Sequence, residues 1–374
     1  MDYDYTINVV DNINRQKEDY LTKSSRNAHL IDDDLDTEDP IVSAFIENGN
    51  DAVLTMTNLN IGEFMEIYAD VEKEIKIVRR GPKAKISPKD CLFLTLVMLK
   101  GYFKWDVMAN LFGLKTSLLE KTIKTTLERI YPSLLNKYIQ DIPKNEQDLQ
   151  QIRFFNFPDC IEVIDVCFQP IQKPSGSFRS KKVFFSGKHF AYGVKIECTH
   201  APDGRLMRFT SHYPGSVHDF KILTENIQPH LDYLKNGDSY YGALADLGYI
   251  GIKKFIPTAI IPKKNPILSE DIDWNYRVSS DRVICENYYG RNKALWSILS
   301  QTFRWDLDDY DLIFGVCSAL TNYLLKTHPL RNQECDIYRG LLVDLKTQEQ
   351  ETARKKMLTR KRQRRNRNSR INNT

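Results

Sequence analysis

Long apolar runs are missing from this chain, and none approaches the ~20 residues that a membrane-spanning helix requires. The first residues, Met1-Asp2-Tyr3-Asp4, carry neither the basic nor the apolar region of a secretory signal. An intracellular protein with no membrane partner is therefore expected. Cysteine is scarce and unpatterned: seven residues, an odd number, with no Cys-x-x-Cys pair, indicate neither a disulfide framework nor a zinc module. Cys91, Cys198 and Cys317 stand among apolar neighbours and read as packed thiols. No Gly-x-Ser-x-Gly occurs, which removes one common route to a nucleophilic serine.

What is present suits a large domain plus a small one, since 374 residues with 41% hydrophobic and 27% charged side chains can bury a sizeable core. The net charge of +4 hides a strong asymmetry. Asp32, Asp33, Asp34, Asp36, Glu38 and Asp39 form an acidic block, whereas 354–370 is strongly basic, with ten Lys and Arg among seventeen residues and no acid. Residues 1–75 are polar and acidic, so disorder or loose helices are expected there, either as a solvated tail or as a docking segment. The tail, 336–374, lacks apolar periodicity and should be disordered when free. Its cations can bind DNA phosphates by counterion release or act as a nuclear localisation signal, which gives a nuclear expectation.

A helical segment is expected over 76–145. Ser87-Pro88-Lys89-Asp90 offers an N-cap, a first-turn proline and a first-turn acid, and Leu92 to Leu99 carry the helix to Gly101. A short helix fits Trp105 to Phe112, and Gly113-Leu114 turns the chain into a third helix that should end at Tyr131, before Pro132. This is the order of a helix-turn-helix, with Lys121, Lys124 and Arg129 able to meet double-stranded DNA. An ordinary helical subdomain packed on the main core has the same spacing.

Residues 155–335 change to strands. Ile161 to Phe168 is a buried-type strand, a basic loop follows around Lys181 and Lys182, and Pro202-Asp203-Gly204 joins two strands as a hairpin. Helix is expected from near Asp219, strand at Gly242 to Ala245, a short strand at Ala259 to Lys264, and helices carrying Glu286 and Asp311 to Leu325. A meander extended by parallel strands and covered by helices is a ribonuclease H-like α/β arrangement, here preceded by the small all-α domain.

Three acids stand out in that order. Asp246 follows the apolar run Ala243-Leu244-Ala245, Asp165 lies in Val163-Ile164-Asp165-Val166-Cys167, and Glu286 lies in the later helix. Each alone also reads as a turn former, a cap or a solvated residue. Together they could flank a pair of magnesium ions, which favour carboxylate oxygens and can drive an in-line displacement at a phosphodiester. Asp219 is the rival for the second position, although its place before Phe220-Lys221-Ile222-Leu223 suggests helix N-capping.

Ile164-Asp165, Phe185-Ser186-Gly187-Lys188, Pro214-Gly215-Ser216-Val217-His218-Asp219, Ala245-Asp246-Leu247-Gly248-Tyr249 and Glu286-Asn287-Tyr288-Tyr289-Gly290-Arg291 appear in one order. That order resembles the DDE superfamily endonucleases of the PIF/Harbinger and IS5-like transposase group. Leu320-Thr321-Asn322-Tyr323-Leu324-Leu325 is similar to their closing helix, so the resemblance spans about 87–330. It implies that Asp165, Asp246 and Glu286 are the catalytic, metal-binding triad of a Mg2+- or Mn2+-dependent endonuclease that cleaves and joins DNA. It also implies a helix-turn-helix ahead of the nuclease; a homo-oligomer and a separate DNA-binding partner protein are further expectations. Two departures are visible: the family's Asp-Gly-Thr is Asp165-Val166-Cys167 here, and the interval from Asp246 to Glu286 is slightly long. Lys188 and Arg291 are candidate phosphate contacts by charge and position. A transposase-derived scaffold without activity and a host nuclease acting on other nucleic acid are the competing functions.

Overall fold

A regular alternation of helical stripes brings the first part of the chain together. The computed structural model describes residues 40–76, 86–150, 152–175 and 177–330. The acidic block and the basic tail lie outside these residues. Helices α1 (Pro40–Glu47), α2 (Asn50–Thr57) and α3 (Ile61–Ile75) come first. They are packed helices over the part of 1–75 that the structure describes, where disorder or loose helices were expected; residues 1–39 lie outside the described residues. Val42, Val53, Leu54, Phe64, Ile67 and Val71 are buried, and Asn60 and Glu63 close a capping box at the start of α3. Apolar stripes at helical spacing, diluted by acids on the outer faces, are what lowered the apparent hydrophobicity.

Helix α4 (Pro88–Gly101) begins as expected, with Ser87 Oγ accepting from Asp90 N, and stops where Tyr102 turns left-handed. Helices α5 (Trp105–Leu111) and α6 (Thr116–Tyr138) follow. Pro132 does not end α6. A proline inside a helix costs about 3 kcal/mol, but Leu134 and Tyr138 beyond it are buried, and Asn322 Nδ2 bonds the Tyr138 carbonyl at 2.8 Å. Tertiary packing therefore carries the helix through the proline.

The sheet has six strands among the described residues. They are β1 (Cys160–Pro170), β2 (Phe185–Ser186), β3 (Ala191–His200), β4 (Leu206–Phe209), β5 (Tyr213–Pro214) and β6 (Gly242–Leu244). The short stretch Phe178–Phe184 is helical where a loop was expected. β3 runs antiparallel to β1 on one edge and to β2, β4 and β5 on the other, while β6 pairs parallel with β1. The expected strand at 259–264 reduces to a single parallel bridge between Leu244 and Ile260.

Helices α7 (Asp219–Glu225) and α8 (Ile227–Leu234) serve one core, with Ile164, Leu223, Ala245 and Tyr249. Helices α9 (Ser269–Leu295) and α10 (Tyr310–Thr327) serve the other. That second core is continuous with the N-terminal helices, because Gly315 of α10 lets the Tyr131 ring of α6 approach to 2.6 Å from where a Cβ would stand. The helical segment is thus packed on the sheet domain. No helix among the described residues is long and apolar enough to cross a membrane.

Beneath the sheet lies a buried polar network. Glu162 of β1, wholly buried, bonds His230 Nδ1 at 2.7 Å and the Arg208 guanidinium, which also reaches Asp141. His230 Nε2 stands 3.6 Å from Glu197. Burial works against the charge of His230, but Glu162 and Glu197 outweigh it and push the imidazole from 6.5 up to about 9. Burial likewise opposes the Glu162 charge, yet His230 and Arg208 hold that carboxyl below its usual range. Because the folded pKa of His230 is the higher one, its stabilisation is complete below pH 6.5 and disappears as pH rises through about 9. Between those two pH values the melting temperature of the wild type should fall further than that of H230Q. Equal losses in the two proteins would show that His230 is not protonated in the fold.

Candidate active site

The parallel pairing of β1 with β6 sets Val163 opposite Leu244, and an acid stands two residues on in each chain: Asp165 and Asp246. Asp165 is not at a strand end, because β1 continues to Pro170. Its backbone stays in register with β3 through Asp165, Val166 and Cys167, so the departure at Val166-Cys167 leaves the strand regular. Cys167 simply packs into the core. Asp246 caps the turn Leu247–Tyr249 by accepting from Gly248 N at 2.7 Å. The turn-former reading of this acid therefore holds as well.

Glu286 does not begin a helix. It is exposed in the second half of the 27-residue α9, which crosses β1. One helical turn earlier, Arg282 reaches Asp165 Oδ1 at 3.3 Å, and one turn later Tyr289 donates to the Asp165 carbonyl at 3.3 Å. The i, i+4 relation of Arg282 to Glu286 was visible in the sequence, but its partner on β1 was not.

Electrostatically the acids behave as a group. Burial pushes the Asp165 carboxyl up to about 6; Arg282 opposes the rise, while Asp246 and Glu286 add to it. Burial also works against the charge of Arg282, but Asp165, Asp246 and Glu286 more than compensate, raising its pKa. Negative charge around Asp165 that Arg282 only partly offsets is an environment that a further cation would relieve.

Asp219 joins this group without N-capping α7. His218 holds the cap position, and Asp219 Oδ1 accepts from Lys195 Nζ at 2.8 Å in a nearly buried pair. A Cβ on Gly248 would stand 2.8 Å from both Asp219 Oδ2 and Asp246 Oδ1. G248A must therefore displace carboxylates, and misplacement of about 1 Å can cost about 10²-fold in rate. Loss of cleavage on that scale, with little change in melting temperature, is the expected result. Undiminished cleavage by G248A would free the turn from any role in placing Asp246.

The predicted cations separate. Lys188 Nζ comes to 4.0 Å from Asp246 Oδ2. Arg291 is directed elsewhere, with Nη1 on the His328 carbonyl at 3.2 Å. On α6, Lys121 is exposed, but Lys124 pairs with Glu120 and Asp309 at 3.3 and 3.2 Å, and Arg129 bonds the Ile75 carbonyl at 3.1 Å. Arg129 and Lys124 thus hold helices together, a use that helix spacing could not reveal.

The donor set fits a hard divalent cation in kind, since Asp165, Asp246 and Glu286 supply only carboxylate oxygens. Among the described residues no three His, Cys, Asp or Glu close on one point as a cage. Magnesium is commonly held by one or two carboxylates, with waters and substrate phosphates completing the shell.

An acid in a strand, an acid after its parallel neighbour and a third on the helix packed against that strand put Asp246 and Glu286 within electrostatic reach of Asp165. Residues 164–322 match the family described as DDE superfamily endonuclease. A curated relative, the probable transposase for insertion sequence element IS702 of Microchaete diplosiphon, is 25% identical over 263 residues. That alignment covers 69% of this chain and 87% of the relative. No solved structure matches.

Proposed function

We propose that the protein is a transposase of ribonuclease H-like fold, cutting DNA phosphodiesters and joining strands, with Asp165, Asp246 and Glu286 as the residues that act. The observation that carries this reading is the parallel pairing of β1 with β6, with Asp165 and Asp246 each two residues beyond a paired position and Glu286 on the helix packed against β1. These three would hold Mg2+ or Mn2+. When bound, such an ion activates a water or a 3′-hydroxyl and stabilises the departing oxygen.

The chain's own contribution is positional. Arg282 restrains Asp165, the Leu247–Tyr249 turn orients Asp246, and Lys188 offers a cation to a phosphate entering beside it. The exposed start of α6, with Thr116, Ser117 and Lys121, is the part of the proposed helix-turn-helix open to double-stranded DNA. A homo-oligomer and a separate DNA-binding partner are part of the proposal, as is a nuclear location from the basic tail. A second reading, a scaffold that has kept the fold without the reaction, is favoured by one contact: Arg282 already occupies Asp165 Oδ1.

The test is a plasmid carrying the genomic flanks of the coding region, incubated with full-length protein and Mg2+ or Mn2+. Nicks or joints at inverted repeats in those flanks are expected. Flanks that contain such repeats and stay intact with either metal would sink the transposase reading and leave the scaffold.

A further inference from the structure

The turn Gly187–Phe190, between β2 and β3, is tied to both acid-bearing strands. Lys188 reaches toward Asp246, and the His189 ring lies flat on Phe168 of β1, with centroids 4.2 Å apart and planes 11° from parallel. Phe168 is three residues beyond Asp165. At the base of the hairpin Phe185 and Tyr192 meet edge to face at 5.3 Å. The turn is therefore fixed at the edge of the site.

Phe190 is the residue this arrangement holds out. Its side chain is 77% exposed, and its φ of 51° lies in the left-handed region, which a phenylalanine rarely adopts and only at a cost. A large apolar ring in a strained backbone contributes little to a core it does not enter. Lys188 and Lys182, both exposed, flank the same hairpin. An aromatic face among cations matches a nucleic-acid strand, whose phosphates meet the lysines while a base meets the ring. In a paired duplex each base face is covered by its neighbours. The ring can therefore stack only on a base that has left the helix.

We propose that Phe190 is a stacking platform for one unpaired nucleobase beside the phosphodiester presented to Asp165 and Asp246. This rests on the nuclease reading for the position of the phosphodiester, but the stacking itself needs no cleavage. Every base has a π-face, so the site takes the base without reading its sequence.

The experiment compares full-length protein with F190A and F190W in the absence of divalent metal. The probes are a labelled duplex and the same duplex with a short central run of unpaired thymidines containing one 2-aminopurine. Wild type should bind the unpaired probe about tenfold more tightly than the paired one, as one base–aromatic stack supplies. It should also quench the 2-aminopurine. F190W should retain both the ratio and the quenching, and in F190A the ratio should fall to near one. A ratio near one in the wild type, or a ratio retained by F190A, would overturn the proposal. Since nothing is cut in this assay, a protein that shows the Phe190-dependent ratio but never cleaves its flanking repeats would remove the transposase reading and leave the stacking site standing.

Discussion

Asparagine in place of Asp246 should lower DNA cleavage by about 10³-fold, because a metal's stabilisation of transition-state charge is worth several kcal/mol and each ~1.4 kcal/mol is tenfold. The substitution keeps the shape and the oxygen that accepts from Gly248 N at 2.7 Å. The turn Leu247–Tyr249 should therefore persist, and the melting temperature should change little. What is removed is charge. Asp246 is one of the groups that push the Asp165 carboxyl up toward about 6, after burial and against Arg282. Its neutralisation should bring that carboxyl down, which separates an electrostatic role from a purely structural one. DNA should still be retained in a gel shift, since an anion has left the neighbourhood of a polyanion. Cleavage by D246N at the wild-type rate would refute the assignment of this acid.

Glu162→Ala should cost about 3–5 kcal/mol of stability, the usual consequence of removing one partner from a buried ion pair. A drop in melting temperature on the order of 10 °C follows for a domain of this size. Glu162 is wholly buried, and its two oxygens serve His230 and Arg208. Without it two cations face each other under the sheet, with Glu197 3.6 Å from His230 and Asp141 on Arg208 as the remaining anions. Glu162 sits three residues before Asp165 on β1, so activity lost in this variant should return at lower temperature as the fold is regained. A loss below about 1 kcal/mol in urea unfolding would mean that water enters and rescues the network, contrary to its burial.

Much of this was legible along the chain because the signals are local. Ser87 caps α4, Gly204 takes the positive φ of 91° that the hairpin turn requires, and α7 begins at Asp219. Other readings failed where a distant partner decided the outcome. Pro132 was read as a stop, but residues beyond it are buried against α10. For Lys124 and Arg129, candidate DNA contacts by spacing, the tertiary structure supplies partners that the spacing does not show, Asp309 and the Ile75 carbonyl. Asp219 was read as a cap, and Lys195, 24 residues earlier, holds its carboxylate instead.

The sequence by itself determined the elements and the order of the acids: a strand holding Asp165, an apolar run ending before Asp246, and a helix bearing Glu286. Periodicity and caps act within a few residues, so they are written where they operate. Tertiary structure decided what those acids meet. Only the parallel pairing of β1 with β6 brings the segments of Asp165 and Asp246 together, only the packing of α9 on β1 brings Arg282 to Asp165, and only the β2–β3 turn carries Lys188 to Asp246. Charge–charge and ring contacts depend on distance through space, and residues 117 positions apart in the chain, as Asp165 and Arg282 are, meet only once the sheet and its covering helix have packed.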